Sequence, residues 1–386
     1  MMSSFALAAP RIFDSVIWHR DAALLVRGDG VEAIVPRGDI PAGTPVTEQN
    51  GMLVPGFVDL QVNGGGGVML NDRQDVETIR TICAAHAPFG TTALLPTLIT
   101  DTPEITARTV ESGVGAAGAH VPGFAGLHLE GPHLSLARKG AHDPKLIRPM
   151  EDADQAFLIE ARNRLPSLLT TVAPESVTPE RMTALSKAGV VVSLGHSDTT
   201  YAVATACAAA GATMATHLFN AMSQIGNREA GLAGAVIDNG GLWAGLIADG
   251  IHVDPATIGI AMRAKTGPAK IFLVTDAMAT IGTDMKSFTL NGRTVRRENG
   301  RLTLADGTLA GADLDMISAV RFMHRQIRLE LGEALRMASL YPAEAMGLAR
   351  HGRLVAGSRA DMVALSDGLD VRRVWIGGEQ VFSAGA

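Results

Sequence analysis

Eight short apolar runs, separated by helical or loop stretches, constrain the fold of this chain more than any other feature. They read GFVDLQVN, TTALLPT, GLHLE, LLTTVA, VVVSLGH, ATMATHL, LWAGLIAD and KIFLVTD, and span residues 56 to 276. Amphipathic stretches such as DVETIRTICAAHA, PERMTALSKAG and YAVATACAAAG lie between them. Strands alternating with helices build parallel βα units, and eight such units close into a barrel. The pattern predicts an α/β fold, a (β/α)8 TIM barrel over residues 54–349.

The flanks have a different texture. Residues 1–53 carry alternating β-type segments, RIFDSVIWH, AALLVRG and VEAIVP, with a Gly-Asp-Gly turn at 28–30. The β texture returns after residue 350 in ADMVALS and VRRVWIGGEQVFSAG. The simplest arrangement joins residues 1–53 and 350–386 into one small β-sandwich domain beside the barrel. Asn-Gly pairs at 291–292 and 299–300 predict a β-hairpin excursion after the last barrel strand.

Composition narrows the range of partners. The formal net charge is −6 and the chain has no long basic run, whereas nucleic acid and anionic membranes require clustered Lys and Arg. No run approaches the ~18 apolar residues of a membrane span. The two cysteines, Cys83 and Cys207, lie in Ala-rich helical stretches without a CxxC pattern, so they are expected to be small buried hydrophobes. The start, MMSSFALAAPRIF, lacks the basic flank and apolar core of a signal peptide. A soluble cytoplasmic protein is expected.

The polar residues at the strand ends suggest chemistry. Active sites of such barrels form at the C-terminal ends of the strands, and here those ends carry Glu130, His196, His217 and Asp276, with Asp59, Gln61 and Asn63 on the first strand. A lone histidine is more often a satisfied core residue than a ligand. Two at the ends of consecutive strands, with a carboxylate on a third, fit a catalytic metal site of three protein ligands and one open position. Glu130 is tolerated at the end of an apolar strand if a cation faces it. Asp276 ends IFLVTDA, where a lone buried carboxylate is costly; it reads as a general base beside water, or else as a helix cap.

The ordered set PGFVDLQVNG, HLEGPHLS, KGAHDP, GHSD, THLFNAM, ADGIHV and LVTDAM resembles the amidohydrolase superfamily, and within it the N-acetylglucosamine-6-phosphate deacetylase family. Where most of the superfamily has His-x-His on the first strand, this chain has Gln61-Val62-Asn63. Amides are weak ligands for zinc-like ions, so one divalent ion per subunit is expected, held by Glu130, His196 and His217. Zinc is the first choice, with iron, cobalt and manganese as alternatives.

The resemblance further implies Asp276 and His142 as catalytic residues, and Ala141 and His142 against the sugar or acetamide. It also implies Asn220, Ala221 and Arg228 at the phosphate, Arg228 across a homodimer interface. His252 would complete the pocket under a loop formed by Leu309, Ala310 and Gly311. The implied reaction gives glucosamine 6-phosphate and acetate from a phosphorylated amino sugar. N-acetylgalactosamine-6-phosphate deacetylation, another amidohydrolase activity such as deamination, and a non-catalytic barrel scaffold remain alternatives. His133, beside EGP, is assigned a surface or packing role, and Gly64 to Gly67 a flexible turn, since the Lys-Ser/Thr of a phosphate loop is missing.

Overall fold

The computed structural model describes residues 4–385. All eight apolar runs become the parallel strands of a barrel. These are β1 (Phe57–Val62), β2 (Thr91–Ile99), β3 (Leu127–Glu130), β4 (Leu168–Val172), β5 (Val191–Leu194), β6 (Ala212–Ala215), β7 (Trp243–Leu246) and β8 (Ile271–Leu273). Each strand pairs with the next in chain order, and the cylinder closes where Asp276 N donates to Gln61 O and Asn63 N to Ala277 O, both at 2.9 Å. Nearly every strand residue is buried, as expected when side chains fill the barrel on one face and meet helices on the other.

The crossover helices start where local chemistry allows. Asp75 accepts from Thr78 N at 2.8 Å and caps Val76–His86, and Thr102 caps Pro103–Gly118, whose proline occupies the first turn. The three helical stretches named from the sequence appear as Val76–His86, Pro179–Lys187 and Tyr201–Ala209. Cys83 and Cys207 are buried, and burial pushes their thiols up to about 12 and about 11. Among the described residues no helix is long and apolar enough to cross a membrane.

Both chain ends contribute to one sheet of small β strands. Met362–Leu365 pairs antiparallel with Met52–Pro55, which runs parallel to Ser4–Phe13. Both faces of this sheet are covered: Leu7, Leu24 and Val26 cluster with Met362 and Trp375, while Ala6, Ala8 and Ala23 meet Ala33 and Val35 on the other side. RIFDSVIWH is not one strand, because Asp14 turns the chain by accepting from Val16 N and Ile17 N at 2.6 and 2.7 Å. The excursion after β8 is larger than a hairpin. It is a four-stranded antiparallel sheet, Ser287–Leu290, Arg293–Glu298, Arg301–Thr303 and Leu309–Ala312, turned at Asn291-Gly292 and Asn299-Gly300 with positive φ at all four residues.

Buried His86 and partly buried His351 make the fold sensitive to acid. Burial holds His86 down to about 4 despite its contact with the Gly64 carbonyl, and burial with Arg359 and Arg350 holds His351 at about 4. The unfolded chain binds these protons near pH ~6.5, so the stability is fully present above that pH and is lost as pH falls toward 4. Each group contributes up to roughly 3 kcal/mol of this loss. Tm should therefore fall between about pH 7 and pH 4.5, with a shallower slope for His86→Gln; an unchanged slope in that variant would contradict the assignment.

Candidate active site and metal centre

Four strand ends aim their side chains at one point. Glu130 is the last residue of β3, and His196, His217 and Asp276 lie just past β5, β6 and β8. The last three adopt left-handed backbone, with φ of 47°, 31° and 51°, and Gly131 after Glu130 has φ 89°. Non-glycine residues in that region cost energy and persist where the surroundings hold them. Here each left-handed residue turns the chain off its strand and keeps its side chain over the barrel axis.

The three predicted ligands converge. His217 Nε2 lies 3.1 Å from His196 Nε2 and 3.1 Å from Glu130 Oε1, and His196 Nε2 lies 3.2 Å from Glu130 Oε1. His196 Nδ1 is 2.8 Å from the Arg138 carbonyl, an acceptor, so it carries the ring proton and leaves Nε2 as a lone pair. That lone pair faces a carboxylate oxygen, an arrangement that repels unless a cation sits between them. Ligand atoms around a tetrahedral ion with bonds of ~2.1 Å are themselves about 3.4 Å apart, close to the observed triangle. The donor set therefore fits a divalent ion. Burial pushes the Glu130 carboxyl up, and it is held well below the usual range only where His196 and His217 are protonated and donate to it or a cation takes that place.

Glu130, His142 and His196 also present ligand atoms within 4.8 Å of one another. His142 is better placed as a donor. Thr100 N donates to its Nδ1 at 3.3 Å, and the Thr100 hydroxyl stands 2.7 Å from the same nitrogen. Nδ1 is thus the acceptor, and the ring proton sits on Nε2. Burial, then His196, hold this imidazole well below its usual pKa, so it is a neutral N–H donor.

Asp276 is the second carboxylate of the site. Asn63 Nδ2 donates to its Oδ1 at 2.6 Å and Gln61 Nε2 at 3.1 Å, while Gln61 also reaches both oxygens of Glu130 at 3.2 Å. The Gln61 amide therefore bridges the two acids, while Asn63, just past the strand, holds Asp276 alone. Burial, and then Glu130, push Asp276 up to about 6. Asp59 accepts from the Thr275 hydroxyl at 2.5 Å and from Thr275 N at 3.2 Å, which ties β1 to the end of β8.

A cavity of about 390 Å³ opens over this cluster. Ala141, His142, Asn220, Ala221, His252, Leu309, Ala310 and Gly311 all line it, together with Glu130, His196, His217 and Asp276. Arg228 does not: it is exposed on the loop after β6, outside the cavity. Leu309 to Gly311 belong to a strand of the excursion sheet, which Asp276 anchors by accepting from Ala312 N at 2.9 Å. Gly64 to Gly67 form a pinned hairpin, since Gly66 N and Gly67 N donate to Ile281 O and Ala279 O. His252 Nδ1 pairs with Asp249 Oδ2 at 2.6 Å.

Sequence reasoning did not find Arg138, Met278, Leu290 and Thr308 in the lining, nor Arg293, whose guanidinium donates to the Ala141 carbonyl. No local pattern marks them, because they arrive from a loop and a sheet folded over the mouth.

Residues 52–381 match the family model described as the amidohydrolase family. The chain belongs to the amidohydrolase family. It is 42% identical over 335 residues to N-acetylgalactosamine-6-phosphate deacetylase of Shewanella sp. (strain ANA-3), covering 87% of this chain and 84% of that protein. It is 37% identical over 357 residues to N-acetylglucosamine-6-phosphate deacetylase of Haemophilus influenzae, covering 91% and 92%. The crystal structure of N-acetylglucosamine-6-phosphate deacetylase from Pasteurella multocida superposes with a TM-score of 0.94 at 34% identity, covering 99% of this chain and 100% of that one.

Gly311 tests how tightly the amidohydrolase packs its excursion sheet on the site. It has φ 67°, and a Cβ there would lie 2.5 Å from Met278 and 2.9 Å from the Asp276 carbonyl. Gly311→Ala should lower hydrolytic kcat/KM at least roughly tenfold and destabilise the fold by about 1–3 kcal/mol. Steady-state kinetics with a thermal melt of the same preparation check this.

Proposed function

We propose that this amidohydrolase removes the acetyl group from N-acetyl-D-glucosamine 6-phosphate, giving D-glucosamine 6-phosphate and acetate in amino-sugar catabolism. It is a hydrolase of carbon–nitrogen amide bonds. The observation that carries the reading is the Glu130, His196 and His217 triangle with Asp276 bridged beside it, inside a cavity sized for one small polar molecule. Kinship with deacetylases acting on phosphorylated amino sugars gives the substrate class.

Glu130, His196 and His217 would hold one divalent ion per subunit, zinc first among the candidates. Such an ion supplies a Lewis acid that makes water a nucleophile near neutral pH and polarises an acyl oxygen. The chain's own residues handle the protons. Asp276, held by the Asn63 and Gln61 amides, takes a proton from the attacking water and passes it to the departing amine nitrogen. His142 donates Nε2–H to the oxyanion that develops on the acetyl group, since Thr100 fixes its tautomer. Asn220 and Ala221 would bind the phosphate end, and His252 would complete the pocket. Arg228, exposed on its own chain, would reach that phosphate from the partner subunit of a homodimer, where a guanidinium suits a dianion. We place the enzyme in the cytoplasm, where sugar phosphates are kept.

A second reading, N-acetylgalactosamine 6-phosphate as substrate, is favoured by one observation: the 42% identity to the Shewanella enzyme of that name. Acetate release from both epimers decides between them, and release from neither ends the deacetylase reading. Asp276→Asn should keep its metal and lose about 10²–10⁴ in kcat, whereas Glu130→Gln should lose the ion, measured by elemental analysis. For the dimer, Arg228→Ala should raise KM for the phosphorylated sugar with little change for N-acetylglucosamine. Mixing it with Asp276→Asn subunits should restore part of the activity; no recovery would place Arg228 outside the partner's site.

A further inference from the structure

A second cavity, of about 310 Å³, lies behind the strand that ends in Glu130, between the helices Pro103–Gly118 and Asp152–Arg164. Its walls are largely apolar, with Pro103, Ala107, Leu129, Pro132 and Phe157 among them. Leu129 and Glu130 are successive residues of β3, so they point to opposite faces. Glu130 faces the catalytic cavity and Leu129 faces this one, which has no residue in the proposed reaction.

One polar group in it offers a free acceptor. His133 is 3% exposed, and its Nδ1 lies 3.1 Å from the Arg148 carbonyl. A carbonyl only accepts, so Nδ1 carries the proton and Nε2 is a lone pair in the neutral ring. Burial lowers the pKa of His133, which favours that neutral form. Nε2 stands 4.0 Å from Asp154 Oδ2, beyond hydrogen-bond reach, and Asp154 is itself an acceptor already held by both terminal nitrogens of Arg148 at 2.5 and 2.6 Å. Among the described residues no group donates to Nε2. Nε2 is therefore a free acceptor that opens onto the cavity instead of being sealed in the protein, and the cavity is large enough for a small molecule.

We propose that this cavity is a binding site for a small apolar ring compound carrying one N–H or O–H group, which donates to His133 Nε2. The apolar walls take the ring, and His133 orients it. Anions are disfavoured, because Asp101 and Asp154 both line the cavity and Arg148 is occupied by Asp154. The site is thus distinct in chemistry from the one that receives a phosphorylated sugar.

The test uses the metal-loaded full chain with indole as probe and indene, the same bicycle without the N–H, as control. Titration calorimetry and protein NMR should show one indole per chain, bound roughly tenfold tighter than indene. Saturating glucosamine 6-phosphate should not displace it. His133→Ala should bind the two with equal affinity, and Ala107→Phe, which fills the cavity while leaving His133 in place, should bind neither. Absence of indole binding, equal affinity of the wild type for both compounds, displacement by the sugar phosphate, or a preference that survives His133→Ala would each overturn the proposal.

Discussion

The constraint on which this structure turns is the meeting of two imidazole nitrogens and a carboxylate oxygen within 3.2 Å of one another in a buried barrel mouth, with the His196 Nε2 lone pair turned toward the carboxylate. Buried groups of that kind repel each other and have lost their water. The arrangement becomes favourable when a cation occupies their centre, and the hydrogen bond from His196 Nδ1 to the Arg138 carbonyl fixes the lone pair that such an ion needs. Backbone strain supports it: three residues at this point lie in the left-handed region, each at a cost of about 1–3 kcal/mol that the packed barrel must sustain.

Around that centre the barrel solves a second electrostatic problem. Glu130 and Asp276 come close enough for each carboxylate to matter to the other, as the raised pKa of Asp276 reflects. The Gln61 amide stands between them and donates to both acids, and the Asn63 amide donates to Asp276. Burial and Glu130 raise the Asp276 pKa and the Asn63 hydrogen bond moderates that rise, which leaves it near the range where a carboxyl can both take and return a proton. The excursion sheet completes the enclosure. It hangs from Asp276 through Ala312, and Arg293 ties it to the Ala141 carbonyl beside His142.

Much of this was legible in the sequence, for a physical reason. A parallel strand buried on both faces leaves a nearly unbroken apolar run, so all eight barrel strands were visible, as were the polar residues that interrupt those runs at one end. The excursion was legible only in part. Its Asn-Gly turns stood out, but its third strand is only three residues with a polar face, its fourth only four small apolar residues, and Leu309 to Gly311 read as loop. Asp14 breaks RIFDSVIWH through a side-chain turn that an alternating pattern does not register. His133 was singled out, but its free acceptor and the cavity it opens onto depend on two helices distant in the chain.

The sequence by itself determined the barrel, the β texture of both ends, and which residues sit at strand termini, because periodicity and burial act locally along the chain. Only the tertiary structure decided which termini meet, which histidine nitrogen is free, that His142 donates while His196 presents a lone pair, and that Arg228 stands outside its own chain's cavity. Those outcomes depend on distances between atoms far apart in sequence, set by closure of the cylinder and by the backbone carbonyls and amide groups it brings alongside each ring.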